Sequence, residues 1–270
     1  MNDHITITKK KSVALIVLIA ILAFIAGSFS PVGRFYKKAS IGGCNVVLIK
    51  IEGYLGSSAG QVIDGKKVGA SSDEIVRNLI LAEQNPEIKA VLVSIDSVDG
   101  NIFAGEEIAN ALKSLTKPSI AVIRSVGLSA SYLAATGANA IYASPLSSVG
   151  DIGITASYLD QTKKDKMEGY TYVEITSTKY KDVGSPHRPL SQEEKNLWVK
   201  SIKQDHETFV SEIAINRNLL GQDVSELADG TSLDGQGALD AGLIDGIGDL
   251  FSITDIISNE IGERAVICWD

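Results

Sequence analysis

The 270-residue sequence predicts an α/β protein built on a largely parallel sheet. Near-continuous apolar runs, NVVLIKI (residues 45–51), IKAVLVSI (88–95) and PSIAVIRS (118–125), read as strands buried on both faces. Helix-patterned segments separate these runs, as the crossovers between parallel strands require. Apolar residues make up 44% of the chain and charged residues 21%, which fits a sizeable core and not a disordered polymer.

Residues 1–12 form a short tail that ends in Lys9, Lys10 and Lys11. Residues 13–29 (VALIVLIAILAFIAGSF) hold no charge and no proline, and their length is near the lower limit for crossing the hydrocarbon core. They read as a transmembrane anchor, which makes the lipid bilayer a partner, although Ala26, Gly27 and Ser28 leave signal-peptide cleavage open. Residues 30–42 form a juxtamembrane linker. Its Arg34, Lys37 and Lys38 roughly balance the three lysines before the anchor, so the flanking charges set no orientation. The short tail is placed inside and the main domain, residues 43–270, outside the cytoplasm, giving a single-pass protein of the cell membrane.

After the first strand, residues 57–70 are Gly/Ser-rich and polar and read as a loop. Ser71 with Glu74 forms a capping-box pattern that opens a helix over 73–84. The second strand leads through a tight connection, DSVDGN (96–101), into a helix over 103–115. The third strand ends in VGLS (126–129), followed by a short small-residue helix. Further on, the pattern predicts a strand at 140–143, an extended segment at 149–156, a helix at 157–168 and a strand at 171–176. A polar loop (177–190) precedes a helix from about 192 to 217. Helices at 222–228, 235–241 and 252–261 complete the chain.

The net charge of −8, with no Lys/Arg-rich face, argues against nucleic acid as a partner. Cys44 and Cys268 lack metal-ligand spacing, so neither a metal site nor a cofactor is expected. They read as two buried small residues, with a single disulfide open to them if the domain lies outside the cytoplasm.

Open α/β folds bind ligands beyond the C-terminal ends of their strands. Two such connections look built for acyl chemistry. In Asp96–Asn101, Gly100 lets the backbone approach a substrate, and the segment runs into a helix N-terminus that favours negative charge. In the other, Ser129 stands at a strand-to-helix corner between the small residues Gly127 and Ala130. The amides of Gly100 and Ala130 could then pair as an oxyanion hole. By itself Ser129 also reads as an N-cap, and Ser125 and Ser131 are competing nucleophiles. A serine nucleophile needs a base. The chain has three histidines, none in an obvious triad context, and a lysine is a known alternative. Lys181, in the Gly/Pro-bounded loop, is the leading candidate; Lys179 and His187 are rivals. His206 is placed on a solvent-facing helix surface and His4 across the membrane.

Three segments together resemble the signal peptide peptidase A (SppA) family of membrane-bound serine proteases, over about residues 44–250. KYKDVGSPHRPLSQEE (179–194) is similar to the family's Lys-Asp-x-x-Ser-Pro-x-Arg-x-x-Ser/Thr-x-Glu-Glu segment, beginning at Lys181. SELADGTSLDGQGALDAGLIDGIG (225–248) and SVGLSASYLAATGANAIYASPLSSVGDIG (125–153) match its tail and its nucleophile region. The resemblance implies a ClpP/crotonase-like fold, Ser129 as nucleophile and Lys181 as general base. It also implies digestion of hydrophobic peptides, notably spent signal peptides, by a ring-shaped homo-oligomer in which a neighbouring subunit could supply the lysine.

Three positions depart from the family pattern. The nucleophile segment reads Ser129-Ala130-Ser131 in place of Ser-Gly-Gly, and the oxyanion loop reads Ser97-Val98-Asp99-Gly100 in place of Ser-Pro-Gly-Gly. Asp151 stands where the family has a third serine that orients the lysine, and is the dyad-orienting candidate here. A carboxylate about 4 Å from Lys181 would favour its ammonium by roughly 4 kcal/mol, against the direction a base needs. Two further readings stay open: a catalytically silent scaffold of the same family, and a crotonase-type acyl-CoA enzyme on the same fold.

Overall fold

The computed structural model describes residues 43–58, 62–63, 66–67 and 69–269. The expected tail, membrane anchor and linker lie outside the described residues, as does His4. No helix among the described residues is long and apolar enough to cross a membrane.

β1 (Val46–Glu52) is followed by the two-residue strands β2 (Leu55–Gly56), β3 (Val62–Ile63), β4 (Lys66–Lys67) and β5 (Ala70–Ser71). The segment read as a loop thus contains short pairings: β2 with β5, parallel, and β3 with β4, antiparallel. α1 (Ser72–Gln84) starts where the capping pattern places it, with the Ser71 hydroxyl accepting the Glu74 N–H at 3.5 Å. β6 (Ala90–Ser97) leads to α2 (Ile102–Lys113), capped by Asn101 Oδ1 accepting the Phe103 N–H at 2.9 Å. β7 (Ser119–Leu128) runs into α3 (Ala130–Ala135), then β8 (Ala140–Ala143) and β9 (Ser148–Gly150). α4 (Thr162–Met167) and the long α5 (Gln192–Arg217) are separated by irregular chain. α6 (Gly221–Leu227), β10 (Ser232–Asp234), α7 (Gly235–Asp240), β11 (Gly246–Ile247), α8 (Leu250–Ile261) and β12 (Ile267–Cys268) complete the chain.

The main sheet has the strand order β10-β9-β7-β6-β1-β12, with β8 pairing β7 and β11. Every pairing in it is parallel except β10 with β9. Alternate residues of the central strands enter two cores. Ile49, Ile51, Val91, Val93, Ile95, Ala121 and Ile123 face α1, α2 and α3. Val46, Leu48, Leu92, Ile120 and Val122 meet Ile253 and Ile257 of α8 on the other face. This is why the strands read as unbroken apolar runs.

β7 forks, and the fork sets up the site. Its first half pairs with β8, from Ile120 opposite Ala140 to Ile123 opposite Ala143. Its second half pairs with β9, ending with Leu128 opposite Gly150. On its other edge the register against β6 shifts between Ile95 and Ser97, a bulge that bends the strand end.

Several expected elements change. Residues 171–176 form no strand; all six are exposed, and β-favouring side chains without a partner strand do not hold an extended ladder. The helix expected over 157–168 is confined to α4, and the extended segment from 149 is strand only to Gly150. Cys44 and Cys268 are neither free nor fully buried: they form a disulfide, with Cα atoms 5.3 Å apart, beside the β1–β12 pairing. It joins residues 224 positions apart.

Candidate active site

Ser129 sits at the corner between β7 and α3 with φ 54° and ψ −125°. These are the angles of the first central position of a type II′ turn, normally given to glycine. The corner is held from both sides: the Ser129 N–H donates to the Gly150 carbonyl at 2.8 Å, and its carbonyl accepts the Leu133 N–H at 3.1 Å. Its hydroxyl makes no capping hydrogen bond, so the N-cap role open to it in the sequence is not used. A half-buried serine held at strained angles with an uncommitted hydroxyl has the geometry of a nucleophile elbow.

The rival serines are engaged elsewhere. Ser131 is fully buried, with its hydroxyl 3.0 Å from the Ser97 carbonyl and 2.8 Å from that of Leu128. The Ser125 hydroxyl donates to Asp96 Oδ1.

Gly100 and Ala130 are brought together. A Cβ built on Gly100 would lie 3.1 Å from Ala130 Cβ and 2.7 Å from the Leu55 carbonyl, so only glycine fits without displacement. Gly105, in the first turn of α2, meets the same corner: a Cβ there would fall 2.3 Å from the Ala130 carbonyl. The lack of a side chain at Gly105 lets α2 press directly on the start of α3. Sequence reading missed it, and a glycine inside a helical pattern was the available signal. The Ala130 amide is the first of α3, where no intrahelical acceptor exists, and it donates to none of the described residues.

Asp151 follows directly on Gly150, whose φ is 106°, and itself has φ 51°. Its N–H donates to the Thr231 carbonyl at 3.0 Å. Burial, and then the negative charge of Asp99, push its carboxyl above the usual aspartate range. Two carboxylates therefore belong to the surroundings of Ser129. Asp99 goes further: its Oδ1 accepts the Gly100 N–H at 2.7 Å.

Lys181 is exposed, and its amine makes no hydrogen bond or ion pair with the described residues, Ser129 and Asp151 included. The loop carrying it is braced. Arg188 forks onto Glu194 at 2.7 and 3.0 Å, and onto the Asp182 carboxylate at 3.2 Å and carbonyl at 3.0 Å. Glu194, which also closes the capping box of α5 with Ser191, is held down at about 2 by Arg188 first and the Ser191 amide next. Gly184, with φ 86°, lies beneath Trp198. Lys179 pairs with Glu193 at 2.6 Å, which raises its pKa and keeps its charge, the opposite of what a base needs. His187 Nδ1 lies 2.8 Å from Asp165 Oδ2, and its ring stacks on Tyr172. His206 is half-buried, not solvent-facing, and its Nε2–H donates to the Ala228 carbonyl at 3.1 Å.

The Peptidase family S49 profile matches residues 111–260, more than half of the chain. A Clp protease profile matches residues 59–149, in keeping with a ClpP-like α/β arrangement. A putative protease of Methanocaldococcus jannaschii is 33% identical over 168 residues, covering 62% of this chain and 54% of that protein. A putative signal peptide peptidase SppA of Enterococcus faecium is 29% identical over 181 residues, covering 66% and 53%. The chain thus spans about half the length of these relatives. Among solved structures, a ClpP1 variant from Listeria monocytogenes superposes with a TM-score of 0.48 at 15% identity, covering 75% of this chain and 91% of that one. The strained serine corner falls inside the matched S49 region, and by that match the chain belongs to peptidase family S49, the SppA-type serine proteases.

Proposed function

We propose that this protein is a membrane-anchored serine endopeptidase that degrades hydrophobic peptides, including signal peptides left in the bilayer. Ser129 Oγ attacks the scissile carbonyl while the Lys181 amine takes its proton. The amides of Gly100 and Ala130 receive the oxyanion. Collapse of the tetrahedral intermediate breaks the C–N bond, and the proton passes from Lys181 to the leaving amine. Water, activated by the same amine, then attacks the acyl-enzyme and frees Ser129. Residues 13–29 hold the enzyme in the membrane. The catalytic domain lies outside the cytoplasm, a placement supported by the Cys44–Cys268 disulfide. The working form is a homo-oligomeric ring, in which the lysine acts on Ser129 of its own or an adjoining copy.

The observation that carries this reading is the uncommitted hydroxyl of Ser129 at φ 54°, beside two closely packed backbone positions. The test is covalent labelling by a fluorophosphonate, with cleavage of a signal peptide in detergent as the companion assay. Labelling is expected in the parent and lost in Ser129→Ala and in Lys181→Ala. Undiminished proteolysis in Ser129→Ala would reject the assignment. A second reading, a catalytically silent scaffold, is favoured by one observation: Asp99 already occupies the Gly100 amide. It predicts no labelling of the parent at any pH.

A further inference from the structure

We infer that Asp99 is a positioning residue that closes the oxyanion amide of Gly100 in the resting protein, and that it must swing away before a scissile carbonyl can seat. The inference rests on the reading of Ser129 as nucleophile.

Backbone pairing fixes where the Gly100 amide points. Leu55 and Gly100 form a parallel bridge. The Leu55 N–H donates to the Asp99 carbonyl at 3.1 Å, and the Asn101 N–H donates to the Leu55 carbonyl at 2.7 Å. In a parallel bridge of this kind the central residue turns its own N–H and C=O away from the partner strand. The Gly100 N–H is thus directed away from Leu55, and Gly100 packs against Ala130, the residue after Ser129. The acceptor it meets is the side chain of the residue before it, Asp99 Oδ1, at 2.7 Å. Among the described residues this amide is the one hydrogen-bond donor to the Asp99 carboxylate. Its negative charge also helps, after burial, to raise the Asp151 carboxyl above the usual aspartate range.

A carboxylate oxygen on that amide sits where the negative oxygen of a tetrahedral intermediate would sit, and two anions do not share one N–H. The Ala130 amide, by contrast, remains open. The resting protein therefore offers half of an oxyanion hole. Asp99 is exposed, and its links to Leu55 and Ser97 run through its backbone carbonyl. Rotation of its side chain can release the amide without moving the loop, and truncation of the side chain leaves those links in place.

The test compares the parent with Asp99→Ala and Asp99→Asn in the full-length protein in detergent. Fluorophosphonate labelling rate and peptide kcat are measured alongside the ¹H–¹⁵N resonance of Gly100. Removing one oxyanion donor costs an acyl-transfer enzyme about 10²–10³-fold in kcat, which sets the ceiling on the gain. Asp99→Ala is expected to label and turn over at least about tenfold faster, within that ceiling, with the gain in kcat and not in KM. Asp99→Asn keeps an acceptor oxygen but not the charge, and falls between. The Gly100 amide proton, downfield in the parent, moves upfield in Asp99→Ala. A slowly labelled parent alongside a rapidly labelled Asp99→Ala supports the inference most strongly. Unchanged labelling in Asp99→Ala, with labelling still lost in Ser129→Ala, overturns the gate and leaves the nucleophile standing. An unmoved Gly100 resonance also overturns it. No labelling of either protein removes the nucleophile reading and the gate together.

Discussion

Ser129→Gly should make the protein more stable while abolishing its activity. At φ 54° and ψ −125° an L-residue carries strain of about 1–3 kcal/mol, which glycine does not. Glycine loses part of that gain because it adds about 0.4–1 kcal/mol of conformational freedom to the unfolded chain. The serine hydroxyl makes no cap hydrogen bond, so none is forfeited. The net stabilisation is about 0.5–2 kcal/mol, or roughly 1–8 °C in Tm at the ~2–4 °C per kcal/mol of a domain this size. Ser129→Ala keeps Cβ and its strain and should stay within about 0.5 kcal/mol of the parent. An N-cap serine would behave differently: alanine would cost about 0.5–2 kcal/mol and glycine only a few tenths. Thermal and urea denaturation of the three proteins separate the two cases. A glycine variant no more stable than the parent would refute the strained corner, and with it the structural argument for Ser129.

Gly105→Ala should lower labelling of Ser129 at least tenfold and destabilise the fold, because its Cβ would meet backbone, the Ala130 carbonyl at 2.3 Å, which cannot rotate aside; labelling rate and Tm check this. Glu194→Gln should lower Tm at pH 7. The folded-state pKa of about 2 lies below the ordinary 4.5, so the carboxylate's contribution is full above 4.5 and is lost as pH falls towards 2, where the Tm values of parent and variant should converge. Asp151→Asn should raise the denaturation midpoint at neutral pH. Burial and Asp99 raise the folded-state pKa above the usual 3.8, so the parent loses stability as pH rises through that interval, and the variant's advantage should vanish below about pH 3.8.

The sheet was readable because burial on both faces leaves its strands apolar throughout, and Val46–Glu52, Ala90–Ser97 and Ser119–Leu128 fall where those runs lie. The start of α1 was readable because a serine followed three residues later by glutamate is a local signal; the structure shows the same device, Ser191 with Glu194, at the start of α5. Strand pairing without local signal was not readable. β12 is two residues long and finds β1 across the whole chain, as does the disulfide beside it. The segment at 171–176 has strand-like composition but pairs with no strand among the described residues. At the site, sequence marked Ser129, Gly100 and Ala130 but not the backbone angle that separates a nucleophile elbow from a capped helix. It marked Asp99 as a departure in the oxyanion loop, but not that its carboxylate rests on the Gly100 amide. That contact depends on which way one peptide plane faces, and Leu55, 45 residues earlier, decides it.

The placement of Lys181 makes the proposed chemistry depend on assembly. Arg188 fixes Asp182, next to Lys181, through both its carboxylate and its carbonyl, so the backbone there is braced while the lysine side chain projects into solvent. A lysine acts as general base only when neutral, and burial is what disfavours its charged form. In the proposed chemistry, a surface that covers the loop would favour the neutral amine. The same stretch of chain exposes Val173, Ile175 and Tyr180, apolar side chains that such a surface would also cover. In the proposed ring that surface belongs to an adjoining copy, and assembly would desolvate the amine and bring it to a serine in one step. Specific activity should then fall in proportion to the assembled fraction as the detergent-solubilised protein is diluted, with light scattering following the mass. Activity per chain that persists undiminished in a monomeric sample would refute the dependence and require the loop to fold back onto its own Ser129.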